Sequence, residues 1–381
     1  MLNPVAVSMI SGAFTRPSAR ARAISAWVGM YGLGMALGPT LGGMIIAAVG
    51  WRGIFLVNVP VGLCAIAATT LIVPESRAER RRRQDPVGQV LVIVMLASLF
   101  YAIIEGAYSD WRATAIRAVF IGAAALLAVL ITWELRRREP LIDLRSFRSP
   151  SLNAAVVTAV CSFADLGGFL FLTSIYLQDV RGCSVLDAGL HMLPAAAAMT
   201  LSPTVAAWLS ARTGSPRLPL LLGGLALAVS TNELSRLSAS SSTVHLLLAF
   251  GLVGTGVGLV NTQISVAAVA GMPASQAGLA SGIASASRQL GQALGVAVAG
   301  SLLTARTHGL IDVRTAFSLA SYPAWHLLSW GAYLVIAAAL ITRRTRPRHG
   351  ISRDPLGRKH PTRPMPVLEE QGCHTTRIPP A

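Results

Sequence analysis

Charge is what this sequence has least of. Charged residues fill 13% of its 381 positions, where soluble globular domains carry about 25%. Acids are the rarer sign, with 16 Asp and Glu against 32 Lys and Arg. Cysteine occurs four times, as Cys64, Cys161, Cys183 and Cys373. No CxxC or Cys/His spacing joins them, so neither a zinc site nor a disulfide framework is indicated. There is no GxxxxGK[ST] stretch and no polar segment large enough for a nucleotide-binding domain, which argues against an ATP-driven machine. Paired carboxylates and Ser/His/Asp arrangements are also missing, so the sequence predicts no enzyme, no cofactor and no metal. Residues 1–14 lack a basic start and a small-residue cleavage site, and no cleavable leader is expected.

What the chain has instead is apolar length. Hydrophobic residues make up 53% of it. Runs of about 20 residues, enough to cross a bilayer core of about 30 Å, recur along most of the sequence. They lie near 24–49, 52–73, 87–105, 114–134, 152–177, 185–209, 218–237, 244–268, 278–303 and 325–342, with a shorter run at 2–14. Short charged or Pro/Gly joints separate them. Only helices and closed barrels satisfy the backbone in lipid, and these runs are too long for barrel strands. The fold class is therefore all-α, a polytopic membrane protein with ten to eleven transmembrane segments.

The net charge of +16 would suit nucleic acid, but its placement points to a membrane. In alternate joints, one set holds 24 basic residues: Arg16, Arg20 and Arg22; Arg77 and Arg80 to Arg83; Arg136 to Arg138, Arg145 and Arg148; Arg212 and Arg217; and the tail from Arg343. The opposite set holds seven (Arg52, Arg112, Arg117, Arg181, Arg236, Arg306 and Arg314), and the last basic residue, Arg288, lies well inside a run. Basic joints stay in the cytoplasm. The expected location is thus the cell inner (plasma) membrane, multi-pass, with the C-terminal tail cytoplasmic and no nucleic acid as partner. Residues 344–381, rich in Arg and Pro, are expected to be disordered and to anchor the topology near anionic lipid.

One run contains GLGMALGPTLGG at 32–43. In water each interior glycine would cost a helix about 1 kcal/mol and the proline about 3. In lipid, close backbone approach drives helix association instead. Gly34, Gly38 and Gly42 fall on one helix face, and Pro39 removes a backbone hydrogen bond and bends the rod. Such a notched helix suits a surface that rocks against a neighbour. A static packing seam reads equally well from the spacing.

The stretch, with its Gly43, is similar to the antiporter motif on the fifth helix of the major facilitator superfamily. WRGIFLVNVPVG at 51–62, with Trp51, Arg52, Asn58 and Pro60, resembles the opening of the sixth helix in the fourteen-helix drug:proton antiporters of the EmrB/QacA type. Further matches follow in order. They are Pro4 and the 20–23 joint, Asp85-Pro86-Val87-Gly88, Ile104-Glu105-Gly106, EPLIDLRSFRSPSL at 139–152, Tyr176-Leu177-Gln178, Ala188-Gly189-Leu190, Leu193-Pro194, and AGLASGIASASRQLGQALGVAVAG at 277–300.

The resemblance implies two pseudo-repeated helical bundles. Residues 1–73 would hold helices four to six. Residues 74–149 would hold a basic cytoplasmic joint and an extra pair, helices seven and eight. Residues 150–343 would hold a complete six-helix bundle. Helices one to three of the family's fourteen, with their acidic and basic motifs, would precede Met1. Either Met1 is internal to a longer sequence, or the product is N-terminally truncated. Two functions follow: proton-coupled multidrug efflux of amphiphilic compounds, conferring antibiotic resistance, or a non-transporting remnant of such a transporter. The implied partners are the lipid bilayer, small amphiphilic substrates and protons, with a periplasmic adaptor left open.

Charged and polar groups inside spans are expensive and are the functional candidates. Asp165 sits mid-span in 152–177, with Thr158, Cys161, Ser162 and Gly168 at helical spacing. It reads either as a group that exchanges a proton for a cationic substrate, or as a carboxylate hydrogen-bonded to neighbouring hydroxyls, or as one sitting near a helix break at Gly167-Gly168. Arg288 and Gln292 share a face with Ser281 and Ser285. Arg288 either lines a cavity or snorkels to the cytoplasmic end. Gly254, Gly258, Asn261 and Ser265 form a similar face on the preceding span. Glu105 and Asp110 are expected to be solvated at the outer end of their helix.

Overall fold

The computed structural model describes residues 40–72, 85–109, 111–137, 144–238, 240–269, 277–307 and 313–341, with isolated positions 23, 34, 37 and 38 before them. Pro39, Asp110, the 2–14 run, the basic joint at 73–84 and the tail from 342 onward lie outside the described residues. All of the described residues belong to one unit, Met1–Thr345.

Among the described residues the regular structure is helical throughout, with no strand. The helices are α1 (Thr40–Val49), α2 (Arg52–Ile72), α3 (Pro86–Ser109), α4 (Thr114–Arg136), α5 (Pro150–Ile175), α6 (Val185–His191), α7 (Leu193–Thr213), α8 (Arg217–Leu234), α9 (Thr243–Val269), α10 (Ala277–Thr307) and α11 (Val313–Ile341). Seven spans among them are long and apolar enough to cross a membrane: α2, α3, α4, α5 with its extension to Val180, α6 with α7, α9 and most of α11. The chain is an all-α membrane protein, as its hydropathy predicts. Helices α8 and α10, which align with the expected runs at 218–237 and 278–303, form as expected but are less apolar. Both are lined with small and polar residues that other helices cover.

Local chemistry sets the helix ends. Ser149 caps α5 by accepting from the Leu152 N–H, with Pro150 in the first turn, where its missing N–H costs nothing. Ser184 caps α6 through the Asp187 N–H at 3.1 Å. Between α1 and α2, Gly50 takes φ +79, a left-handed conformation that glycine adopts without strain. Its N–H closes α1 onto the Ile46 carbonyl at 2.9 Å. Beyond Ile175 the helix widens into one π-type turn, Tyr176–Val180.

One core runs from Leu152 to Ala339 and draws on α5 through α11. Trp325, Tyr176, Phe169, Phe250 and Phe317 are its largest fully buried side chains. Phe169 of α5 meets Phe250 of α9 edge-on, with ring centroids 5.0 Å apart. Elsewhere backbones touch through glycines. A Cβ on Gly223 of α8 would lie 3.0 Å from the Gly256 carbonyl oxygen of α9, and one on Gly256 would lie 2.9 Å from that of Gly223. Gly291 and Gly295 of α10 press on the carbonyls of Val160 and Ala164 of α5, while Gly167 of α5 presses on Gln292. The helix pair α3–α4 joins this assembly through α10, where the Ser301 hydroxyl donates to the Ile103 carbonyl at 2.7 Å. By contrast α2 buries only Gly53 and exposes Phe55, Leu56, Ile66 and Leu71, a surface suited to lipid.

Candidate functional site

Two helices, α9 and α10, bring predicted polar residues together around Arg288, and α5 adds an aromatic ring. It stands eleven residues into α10, about 16 Å from that end at 1.5 Å per residue. Its Nε donates to Asn261 Oδ1 at 2.9 Å and its Nη2 to Ser265 Oγ at 2.6 Å, both on α9. The guanidinium carbon lies 6.0 Å from the centre of the Phe163 ring on α5. Asn261 and Ser265 are four residues apart, so both reach the same side of α9. The arginine is thus fastened to the side of α9, its Nη2 reaching Ser265 about one turn before the C-terminal end of that helix. Its side chain remains partly exposed, as a group must be to meet a solute.

The expected glycine-polar face of α9 divides in two. Gly254 and Gly258 pack against the backbone of α7 at Ala195 and Met199, a static seam, whereas Asn261 and Ser265 serve Arg288. Gln292 joins the group by position, one turn beyond Arg288, and its backbone lies against Gly167. Sequence reasoning missed Phe163. It also missed Gln263, which is buried and donates to Ser210 Oγ of α7 at 3.0 Å. Phe163 breaks no hydropathy pattern, whereas Gln263, a polar residue inside the 244–268 run, carries a signal that could have found it.

Asp165 lies apart from this cluster. It is 1% exposed, and among the described residues neither carboxyl oxygen has a hydrogen-bond partner. The satisfied-carboxylate alternative is therefore not what the structure shows: the Ser162 hydroxyl donates to the Thr158 carbonyl at 2.7 Å instead. Nor is there a helix break, since α5 continues unbroken through Gly167 and Gly168. Those glycines serve close approach, Gly167 to α10 and Gly168 to Leu328 of α11. Asp165 faces α11 at Gly331, where a Cβ would lie 3.4 Å from its Oδ1 and 3.6 Å from Cys161 Cβ.

The notched helix is described only in part. Gly34, Gly38 and Gly42 have no described atom within 4 Å of where a Cβ would stand. No described helix presses into that notch. Gly43 behaves differently: a Cβ there would sit 2.9 Å from the Val185 carbonyl oxygen and 3.0 Å from Leu186 Cα. It meets the first turn of α6, in the bundle that begins at Pro150. In the following segment the Arg52 guanidinium stacks 4.5 Å above the Trp51 ring, and Asn58 Nδ2 donates to the Ile54 carbonyl at 2.9 Å within α2. Pro60 sits inside α2, which continues past it. These signature residues support their own helix here and do not reach Arg288 or Asp165.

A second polar cluster closes the base of the α3–α4 pair. Asp85 precedes Pro86 and accepts from the Gly88 N–H at 3.1 Å, from Trp133 Nε1 at 3.1 Å and from Arg137 at 3.5 Å. Arg137 in turn covers the Trp133 ring at 4.8 Å. The Gly88 N–H holds the Asp85 carboxyl below the usual carboxylate range, helped by Trp133 and Arg137 and opposed by burial. The Asp-Pro-x-Gly pattern announces a helix start, but no sequence signal announces its partners 48 and 52 residues away. Glu105 at the other end accepts from Ser109 at 2.6 Å and is half-buried.

Residues 1–296 match the family model of the Major Facilitator Superfamily. The chain is 39% identical over 300 residues to the multidrug resistance protein Stp of Mycobacterium tuberculosis, covering 78% of this chain and 55% of that protein. It is 35% identical over 310 residues to the tetracenomycin C resistance and export protein of Streptomyces glaucescens, covering 80% and 57%. It is 29% identical over 338 residues to the methylenomycin A resistance protein of Streptomyces coelicolor, covering 86% and 70%. The chain thus spans little more than half the length of the first two of these relatives. A run of membrane-length helices packed through glycines, carrying polar groups at mid-depth, is what a multi-pass carrier needs, and with residues 1–296 matched to the family model this chain belongs to the Major Facilitator Superfamily.

Proposed function

We propose that this chain is the carrier portion of a drug exporter of the fourteen-helix type, which moves amphiphilic small molecules outward across the plasma membrane against an inward flow of protons. The observation that carries the reading is the Arg288–Asn261–Ser265 set. A charged side chain stands within the bundle, held by α9 and half-buried. Intramembrane charges of this kind mark substrate or ion paths. The relatives support the direction of transport, because their names describe resistance and export. On this reading Arg288, Asn261 and Gln292 present the polar handle of the solute site, and apolar side chains around them take the remainder of an amphiphile. Asp165 is the carboxyl available for the driving proton. Gly34–Gly43 is the joint on which one bundle moves against the other, with Gly43 its point of contact near α6. The basic joints and the tail lie in the cytoplasm.

The test is efflux of a lipophilic cationic dye from cells that lack their own exporters, with the chain expressed in their plasma membrane. Energy-dependent efflux that an uncoupler abolishes is expected, and Arg288→Ala should lower it at least tenfold. Dye retention equal to that of cells without the chain would overturn the reading in favour of the non-transporting remnant.

A further inference from the structure

On α7, Leu201, Val205, Trp208 and Arg212 are all exposed and stand three or four residues apart, so they form one stripe along the helix. The buried residues of that helix, Met199, Ser202 and Ala206 among them, occupy the other side. The stripe is apolar from Leu201 to Trp208 and ends on a cation in the last turn. Leu218, Leu222, Leu225 and Val229 repeat the spacing on α8 and are exposed as well. Residues 214–216 join the two helices, so both stripes begin at the same end of the bundle. Exposed apolar side chains on a spanning helix meet acyl chains, and tryptophan settles at headgroup depth.

Arg212 is held without being neutralised. Its guanidinium carbon lies 4.3 Å from the centre of the Trp208 ring. Stacking uses the flat face of a guanidinium and leaves its N–H edge open to an anion. Helix α4 carries the same Trp-x-x-x-Arg spacing, with Arg137 4.8 Å over Trp133, and there the N–H edge reaches Asp85 at 3.5 Å. Among the described residues no carboxylate stands opposite Arg212. The other polar groups of this joint are taken. The Thr213 hydroxyl donates to the Leu209 carbonyl at 2.8 Å, and Ser215 Oγ accepts from the Arg217 N–H at 3.3 Å. Arg217 itself closes the end of α11, its Nε donating to the Ala339 carbonyl at 3.2 Å and its Nη2 to that of Leu340 at 2.6 Å. One cation of the joint is thus spent on backbone, and the other presents its N–H edge outward at the head of an apolar stripe.

We propose that Arg212 and Trp208 form a headgroup site for an anionic phospholipid, whose phosphodiester meets the Arg212 fork and whose acyl chains run along Val205 and Leu201. A planar pair of donors matches two phosphate oxygens. A lipid with a cationic headgroup would bring its own positive charge against the arginine, so the site selects lipids of net negative charge. The bias of basic residues assigns this joint to the cytoplasmic leaflet, where a negative surface potential gathers such cations. Free phosphate could meet the same fork, but it would gain nothing from the stripe, and the bilayer holds the lipid beside it. The site is independent of Arg288 and of export.

The experiment uses the full chain reconstituted in phosphatidylcholine vesicles that contain a minor share of phosphatidylglycerol. A photoreactive diazirine is carried on the acyl chain of one lipid or the other, in equal amounts, and mass spectrometry maps the adducts. Phosphatidylglycerol should label the 201–212 segment at least fivefold more than phosphatidylcholine does. Arg212→Gln should abolish that preference, Arg212→Lys should keep part of it, and Trp208→Leu should weaken it while leaving the segment apolar. Arg117→Gln, which removes an exposed arginine from α4, should leave it unchanged. Equal labelling by the two lipids in the parent would overturn the proposal, as would a preference that survives Arg212→Gln or falls equally in Arg117→Gln. Loss of the preference in excess inorganic phosphate would assign the fork to the free anion and also overturn it. Should Arg212→Gln not assemble, the fall or survival of the preference in Trp208→Leu decides. No readout requires export, so a chain that moves no dye but labels as described would lose the export reading and keep this one.

Discussion

At the residue scale, Asp85 shows how one carboxyl fastens two helices. It caps α3 through the Gly88 N–H and reaches α4 through Trp133 and Arg137. Removing a cap costs about 1 kcal/mol, so Asp85→Ala is expected to lower the melting temperature of the detergent-solubilised protein by a few degrees, read by size-exclusion after heating. Its pH dependence follows from the direction of the shift. A carboxyl held below its unfolded value, about 3.9 for Asp, stabilises the fold above that value and loses the contribution as pH falls through the lower folded one. Melting of the parent should therefore drop below about pH 4, and Asp85→Asn should flatten that drop. Arg288 yields a sharper residue-level expectation. Lysine is a point charge without the guanidinium fork, so Arg288→Lys loses the rigid geometry that spans Asn261 and Ser265. It should retain part of the dye efflux that Arg288→Ala loses, with folding unchanged by size-exclusion.

At the element scale, the α5–α10 seam is a backbone contact, in which Gly291 and Gly295 meet the carbonyls of Val160 and Ala164. Backbone atoms cannot swing aside as a flexible side chain does, so Gly295→Leu should prevent assembly, seen as loss of monodisperse protein after extraction. Gly43 makes the corresponding test for α1. Its missing side chain admits the first turn of α6, and Gly43→Leu should weaken export, whereas in this chain Gly34→Leu meets no described atom and should leave the yield of folded protein unchanged. The helix pair α3–α4 reaches the bundle through Ser301 and Ile103. It is attached to α10, where the sequence placed it only as an extra pair between bundles.

At the scale of the whole molecule, the chain should behave as a membrane protein throughout: sedimenting with membranes after alkaline washing and requiring detergent for extraction. The charge bias makes a separate expectation. A fluorescent protein fused after Ala381 should fold and glow, and alkaline phosphatase fused there should stay inactive, if the tail faces the cytoplasm as the placement of the basic residues predicts; the opposite result would reverse every span. The core that unites α5 through α11 is the part of the molecule in which buried polar groups can be held in fixed poses. It is there that Arg288 and Asp165 sit.

The sequence by itself determined the class of protein, the helices and their approximate ends, because hydropathy over about 20 residues and the chemistry of Ser, Pro and Gly at helix termini act locally. It also singled out Asp165, Arg288, Asn261 and Gln292, since a polar side chain in an apolar run is visible without knowing its neighbours. Only the tertiary structure decided what those groups do to one another. Arg288 turned to Asn261 and Ser265 of α9, the glycines of α9 separated from Asn261 to pack on α7, and Asp165 turned to Gly331 of α11 and not to the hydroxyls on its own helix. A helix presents every face at once, and which face meets which neighbour is set by packing between segments far apart in the chain, a quantity that no single run of residues carries.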